Sequence, residues 1–223
     1  MATICSWIMD GEGSLRELPE AEARAAREAG EAPVWIDIQS VDQPELQSLL
    51  TGLGFADDLV AVGLSHDSTG RMVAHAAATF FEYPIPAPDG SASLVGFLVA
   101  NGLVTTFHRH ALSDDFVAGV LARLEVPVPT TSGLVSAIAL NHALRLRRAA
   151  LELRDRTRDA AALMDDDPEA VTLDQILALK RRLLDLDRMS DEQEAVFEGL
   201  LGIEKPHLQM GLPEVGFGHA MEN

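Results

Sequence analysis

"SLVGFLVANGLVTTFH", residues 93–108, decides the fold. Two apolar, β-branched runs flank Asn101-Gly102, a strong hairpin turn signal. Tightly joined strands are antiparallel neighbours, so a sheet containing them is not built purely of parallel βαβ units. Just upstream, "RMVAHAAATFFEY" (71–83) reads as a third strand, though its alanines weaken the preference. The intervening "PIPAPDGSA" (84–92) reads as a loop, because its prolines and Asp89-Gly90 oppose regular structure.

Further out, "VWIDI" (34–38) is a β-branched and aromatic strand. "TICSWIMDGEGSLREL" (3–18) is a hairpin turning at Asp10-Gly11. Helices separate these strands. "PEAEARAAREAG" (19–30) begins with Pro and stops at Gly. Asp42 caps a helix with Pro44 in its first turn and Leu46, Leu49, Leu50 and Leu53 on one face. A shorter helix spans 57–64, and "SDDFVAGVLARL" (113–124) is a helix capped by Ser113, with Asp114 and Asp115 at its positive end. The expected class is α+β: an α/β/α layered domain with a mixed sheet over residues 1–130.

After the proline-rich linker "VPVPTTSG" (126–133) the composition changes. Leu134 to Met164 holds no Pro or Gly, enough for a helix of roughly 45 Å. A second run extends from Glu169 to about Phe197. In it Ile176, Leu179, Leu183 and Leu186 form a coiled-coil seam, so residues 131–223 are expected to hold a long antiparallel helical hairpin. At its joint stand Asp165, Asp166 and Asp167. Asp167 before Pro168 suits an N-cap followed by a first helical position. Asp165 and Asp166 fall at a helix C-terminus, where negative charge is unfavourable and a cation would relieve it. These three carboxylates are the first candidates for a metal site.

Charge bounds the function. There are 35 Asp and Glu against 17 Lys and Arg, a net charge of −18. Such a surface repels nucleic-acid phosphate and attracts cations or basic partners, so no nucleic-acid partner is expected. The arginines from Arg145 to Arg158 and the run Lys180-Arg181-Arg182 suit salt bridges within or between subunits. Cys5 is the single cysteine, which leaves no internal disulfide and no Cys-based zinc site. The most apolar stretch, 93–104, is too short to cross a bilayer, and the chain reads as soluble.

His108 and His110 share the i, i+2 spacing of one strand face, a two-histidine metal arrangement, but an exposed strand end explains them more simply. "GLGFAD" (52–57) follows a helix pattern, so it is not a phosphate loop. His66-Asp67 suits turn chemistry and His75 a core histidine. No G-x-S-x-G elbow is present, and no enzymatic activity is expected.

The chain resembles the cytoplasmic portion of the CorA family of divalent-cation channels and transporters. "VWIDIQSVDQPELQSLLTGLGF" (34–55) is similar to the family's Trp-containing strand and leucine helix. "VGFLVANGLVTTFHRH" (95–110) resembles its paired strands, and "ILALKRRLLDLDRMSDEQEAVFEGLL" (176–201) its late intracellular helix. "SWIMDGEGSLREL" (6–18) is closer to the zinc-transporting, ZntB-like branch. The family's Gly-Met-Asn tripeptide and two membrane helices are absent, and "RMSDE" stands where the family usually carries a proline. The resemblance implies a homopentamer with a funnel-shaped interior at the cytoplasmic face of the cell membrane. It would meet the membrane only through a transmembrane part that this chain lacks. It implies divalent cations between subunits that hold a channel shut: Mg²⁺ first, with Zn²⁺, Co²⁺ or Ni²⁺ as alternatives. Asp89 falls in the loop that supplies one cation-binding carboxylate in that family, its partner lying on a stalk helix at or beyond residue 223. Two other readings stand beside this one: an oligomerisation module without metal sensing, and a hydrolase using His108 and His110.

Overall fold

The computed structural model describes residues 2–9, 15–30, 32–39, 42–65, 70–87, 91–108, 119–120 and 130–209. Seven strands form one mixed sheet: β1 (Thr3–Met9), β2 (Leu15–Glu17), β3 (Val34–Gln39), β4 (Arg71–Ala74), β5 (Ala78–Pro86), β6 (Ala92–Ala100) and β7 (Leu103–His108). Their spatial order is β2-β1-β3-β7-β6-β5-β4. Only β3 and β7 run parallel; Val34 pairs with Leu103 and Gln39 with His108. The sequence 93–108 forms the expected hairpin: Ala100 pairs with Leu103 across a turn in which Gly102 takes φ 68°.

Two apolar layers sandwich the sheet. On one face α1 (Glu20–Ala29), α2 (Gln43–Gly52) and α3 (Asp57–Leu64) cover Ile36, Ile38, Phe80 and Leu98. On the other, α4 (Thr131–Asp166) and α5 (Leu173–Leu201) bring Leu134, Ile138, Val196 and Leu200 onto Trp35, Phe81, Tyr83 and Phe97. The observed class is α+β with the layers expected. Asp42 caps α2 by accepting from the Glu45 N–H at 2.9 Å. A last hairpin, β8 (Glu204–Lys205) and β9 (Leu208–Gln209), returns to the sheet and buries Leu208 in that second layer.

Three local expectations are corrected. Residues 71–83 are not one strand. β4 ends at Ala74, and the chain turns back through an exposed His75, whose N–H reaches the Ala78 carbonyl at 2.8 Å. His75 is therefore a turn residue and not a core one. Nor is 84–92 all loop, because β5 continues through Pro84 and Pro86, paired with Leu94 and Ala92. Proline is tolerated there because β4 flanks β5 only over Thr79–Glu82. Beyond Glu82, among the described residues, that edge carries no strand to miss the absent N–H groups. Finally, α5 starts at Leu173 and not near Glu169. Of the helix expected over 113–124, only residues 119 and 120 are described, and both are helical.

Candidate functional site

The three hairpin aspartates are where the sequence put them, at the far end of the molecule, but their roles differ. Asp165 and Asp166 close the last turn of α4, and Asp167 is its C-cap, its N–H bonded to the Leu163 carbonyl. All three are exposed. Asp167 does not cap α5. Its carboxylate accepts from the Glu169 N–H at 3.0 Å and holds the turn that contains Pro168. The cap of α5 is Thr172, in a reciprocal capping box with Gln175. Thr-x-x-Gln was legible in the sequence, and the nearby Asp-Pro pair obscured it. No basic residue occupies the last turn of α4, so the negative helix end faces three uncompensated carboxylates. Among the described residues no group of three or more His, Cys, Asp or Glu is disposed to hold a metal ion. Asp89 and His110 lie outside the described residues, as do His66, Asp67, Asp10 and Ser113.

The base of the hairpin carries a polar frame that sequence reasoning missed. His108 is not an exposed strand end. It is fully buried, and its Nε2 lies 2.8 Å from Asp37 Oδ1 on the parallel neighbour β3. Thr106 Oγ1 donates to the same oxygen and accepts from Trp35 Nε1–H at 2.9 Å. Burial of His108 follows from the central position of β7 between β3 and β6. Its Nε2 is held by Asp37 inside the sheet, so His108 is a buried structural contact and not the exposed strand end expected.

Two strands beyond β7, on β5, the Tyr83 hydroxyl meets His142 Nδ1 of α4 at 2.8 Å. Desolvation pushes the Tyr83 phenol well above its usual range. Desolvation first, then the nearby His108 and Arg145, hold His142 well below 6.5. Both shifts keep the pair neutral. Gln193 of α5 donates to the Pro84 carbonyl at 2.8 Å, and His207 sits 2.9 Å from Thr79 Oγ1. Thus α4, α5 and the β8–β9 hairpin are each tied to β5 by a buried side-chain hydrogen bond. Arg71 adds a further bond to β5 through Glu82, at 2.6 Å.

This arrangement is an α/β/α body holding the base of a long helical hairpin with an acidic tip. Residues 30–212 match the family described as CorA-like Mg²⁺ transporter protein, well over half of the 223-residue chain. The chain belongs to that family. The family's description is one of transport and not of catalysis. No curated protein matches it. Among solved structures, the full-length CmaX protein superposes with a TM-score of 0.76 at 17% identity, over 93% of this chain and 65% of that one. The soluble domain of CorA from Methanocaldococcus jannaschii gives 0.70 at 17% identity, over 94% of this chain and 83% of that one. The ZntB cytoplasmic domain from Vibrio parahaemolyticus RIMD 2210633 gives 0.66 at 10% identity, over 88% and 78%. The chain therefore spans about two thirds of the length of the full-length relative. None of its described helices is long and apolar enough to cross a membrane.

Proposed function

We propose that this chain is the cytoplasmic, ion-sensing domain of a CorA-like divalent-cation transporter and that it works as one subunit of a homo-oligomer, a pentamer by family resemblance. The observation that carries the reading is the acidic lever. Helix α4, with 36 residues and so about 54 Å long, ends in three exposed carboxylates with no basic neighbour in its last turn. In an assembly of such chains, each of net charge −18, like-charged surfaces repel. A hard divalent cation takes carboxylate oxygens and keeps several waters, so it bridges such surfaces without a preformed cage. Its binding favours the compact arrangement. Its loss lets the subunits separate, and the lever transmits that motion towards a pore. Asp165, Asp166 and Asp167 are the assigned ligands, with Asp89 as half of a second site. Mg²⁺ is the expected ion, and Zn²⁺, Co²⁺ and Ni²⁺ are the competitors.

Millimolar Mg²⁺ is expected to raise the melting temperature by a few degrees or to promote association, and chelator to reverse it. Changing Asp165, Asp166 and Asp167 together to Asn should blunt the response. If neither property responds in the native chain, ion sensing fails. If the triple variant titrates like the native chain, the tip assignment fails.

A further inference from the structure

The two apolar layers differ in one chemical respect. Among the described residues, the layer of α1, α2 and α3 buries no histidine, and the opposite layer buries three: His108, His142 and His207. Two of these reach β5 from separate elements. His142 of α4 meets the Tyr83 hydroxyl at 2.8 Å, and His207, in the turn between β8 and β9, meets Thr79 Oγ1 at 2.9 Å. Tyr83 and Thr79 are four residues apart on one strand and so share a face. The remaining buried tie described above, from Gln193 to the Pro84 carbonyl, has no titratable member. The β8–β9 ladder is a separate sheet, so no strand pairing joins it to β5.

Both imidazoles are shielded from water, with 0% of His142 and 4% of His207 exposed. Tyr83 and Phe97 stand edge-on to the His142 ring, and Phe197 of α5 packs edge-on against Tyr83. Among the described residues, the titratable and charged groups around His142 are Arg145 on α4, Tyr83 on β5 and His108 on β7, with Asp37 of β3 behind His108. Asp37 is the one carboxylate of that group, and its Oδ1 is already shared by His108 and Thr106. The charged neighbour of His207 is Lys205. A proton on either imidazole therefore puts a charge into a dry site beside a cation. Desolvation first, then His108 and Arg145 for His142 and Lys205 for His207, lowers both groups below their ordinary value.

We propose that the contact between β5 and the α4–α5 layer is a proton-sensitive joint: mild acidification releases the base of the hairpin, together with the β8–β9 turn, while the α1–α3 layer stays on the sheet. The released segments regain ordinary imidazoles, which take up protons near pH 6.5 or about there, ahead of the docked ones. Docking is therefore full above about pH 6.5 and is lost as the pH falls below it. Each histidine that is neutral when docked and charged when released raises the opening constant about tenfold per pH unit. Opening of one layer before the whole is the sub-global unfolding that proteins commonly show. The joint is independent of ion sensing, because Asp165 lies about 35 Å along α4 from His142.

Hydrogen exchange of the 223-residue chain tests it, in chelator, between about pH 7.5 and pH 5.5 and corrected for intrinsic rates. Protection within 134–146 and 203–209 is expected to fall about tenfold or more below about pH 6.5, while α2 and α3 change far less. His142→Asn with His207→Asn should flatten that fall in both segments, and His75→Asn, at an exposed turn, should leave it unchanged. Equal loss of protection in α2 and α4 means that the chain opens as one unit and overturns the joint. So does protection of 134–146 that ignores pH, and so does a double variant that keeps the native pH slope. The native-chain comparison decides the matter even if the double variant does not fold. Chelator keeps Mg²⁺ out of the measurement, so this result and the Mg²⁺ response above succeed or fail separately.

Discussion

β5 and the outer half of the hairpin use apolar residues in opposite ways. Every residue of β5 is buried, with Phe80 turned to the α1–α3 layer and Phe81, Tyr83 and Ile85 to the α4–α5 layer. Phe81 stacks on Phe97 with ring centroids 4.5 Å apart. Past Leu153 the hairpin offers exposed leucines and alanines beside an open groove. The first region completes its core within one chain. The second leaves apolar surface for something else to cover.

Truncation should separate the two regions most sharply. Phe81→Ala is expected to cost about 3–5 kcal/mol, because it opens a cavity in a fully packed face. Leu183→Ala should change monomer stability by less than about 0.5 kcal/mol. Urea unfolding of both variants checks the contrast. A cost of several kcal/mol at Leu183 would mean that the groove is closed within the monomer.

A smaller effect tests the packing around β5 from the other side. An added Cβ at Gly96 would lie 2.2 Å from Phe107 Cζ, far inside contact distance. Gly96→Ala should therefore destabilise by about 1–3 kcal/mol through overpacking. A melting temperature equal to that of the native chain would show that β6 and β7 can part more easily than this geometry implies.

The smallest effect is a pH dependence confined to the base. His142 has its folded-state pKa well below 6.5, with desolvation the main cause, and His207 is lowered in the same direction. The unfolded chain then takes up these protons first as the pH falls. The stability contributed is full above about pH 6.5 and is lost as the pH drops below it towards the folded-state values. Thermal melts between about pH 7.5 and pH 5.5 should show this loss, and His142→Asn should flatten the slope whatever it does to the plateau. A slope unchanged in that variant would assign the loss to other groups.

Much of the fold was legible. The 93–108 hairpin, the strand at 34–39, the Asp42 cap and the helix at 57–64 all follow from residues close in the chain. The errors beyond the start of α5 share one cause. Pro84 and Pro86 read as loop because sequence does not say which strand edge lacks a neighbour. His75 and His108 exchanged roles because burial depends on position in the sheet order, which spacing does not encode. The seam from Ile176 to Leu186 has the right period, yet all four members line an open groove and only Leu186 is buried, because a three- and four-residue repeat does not fix how far a helix is rotated against its neighbour. Of the candidate ligands, the tip aspartates were legible as a charge cluster, and the buried Asp37–His108 and Tyr83–His142 pairs were not. Their members lie 71 and 59 residues apart.

The sequence by itself determined most of the elements, the family and the acidic end of the hairpin, because turn chemistry, apolar period and net charge are local or additive properties. Tertiary structure alone decided which histidines are buried, which carbonyl Gln193 reaches and which leucines remain uncovered. Those outcomes depend on the relative placement of elements distant in the chain, and many placements satisfy the same local rules.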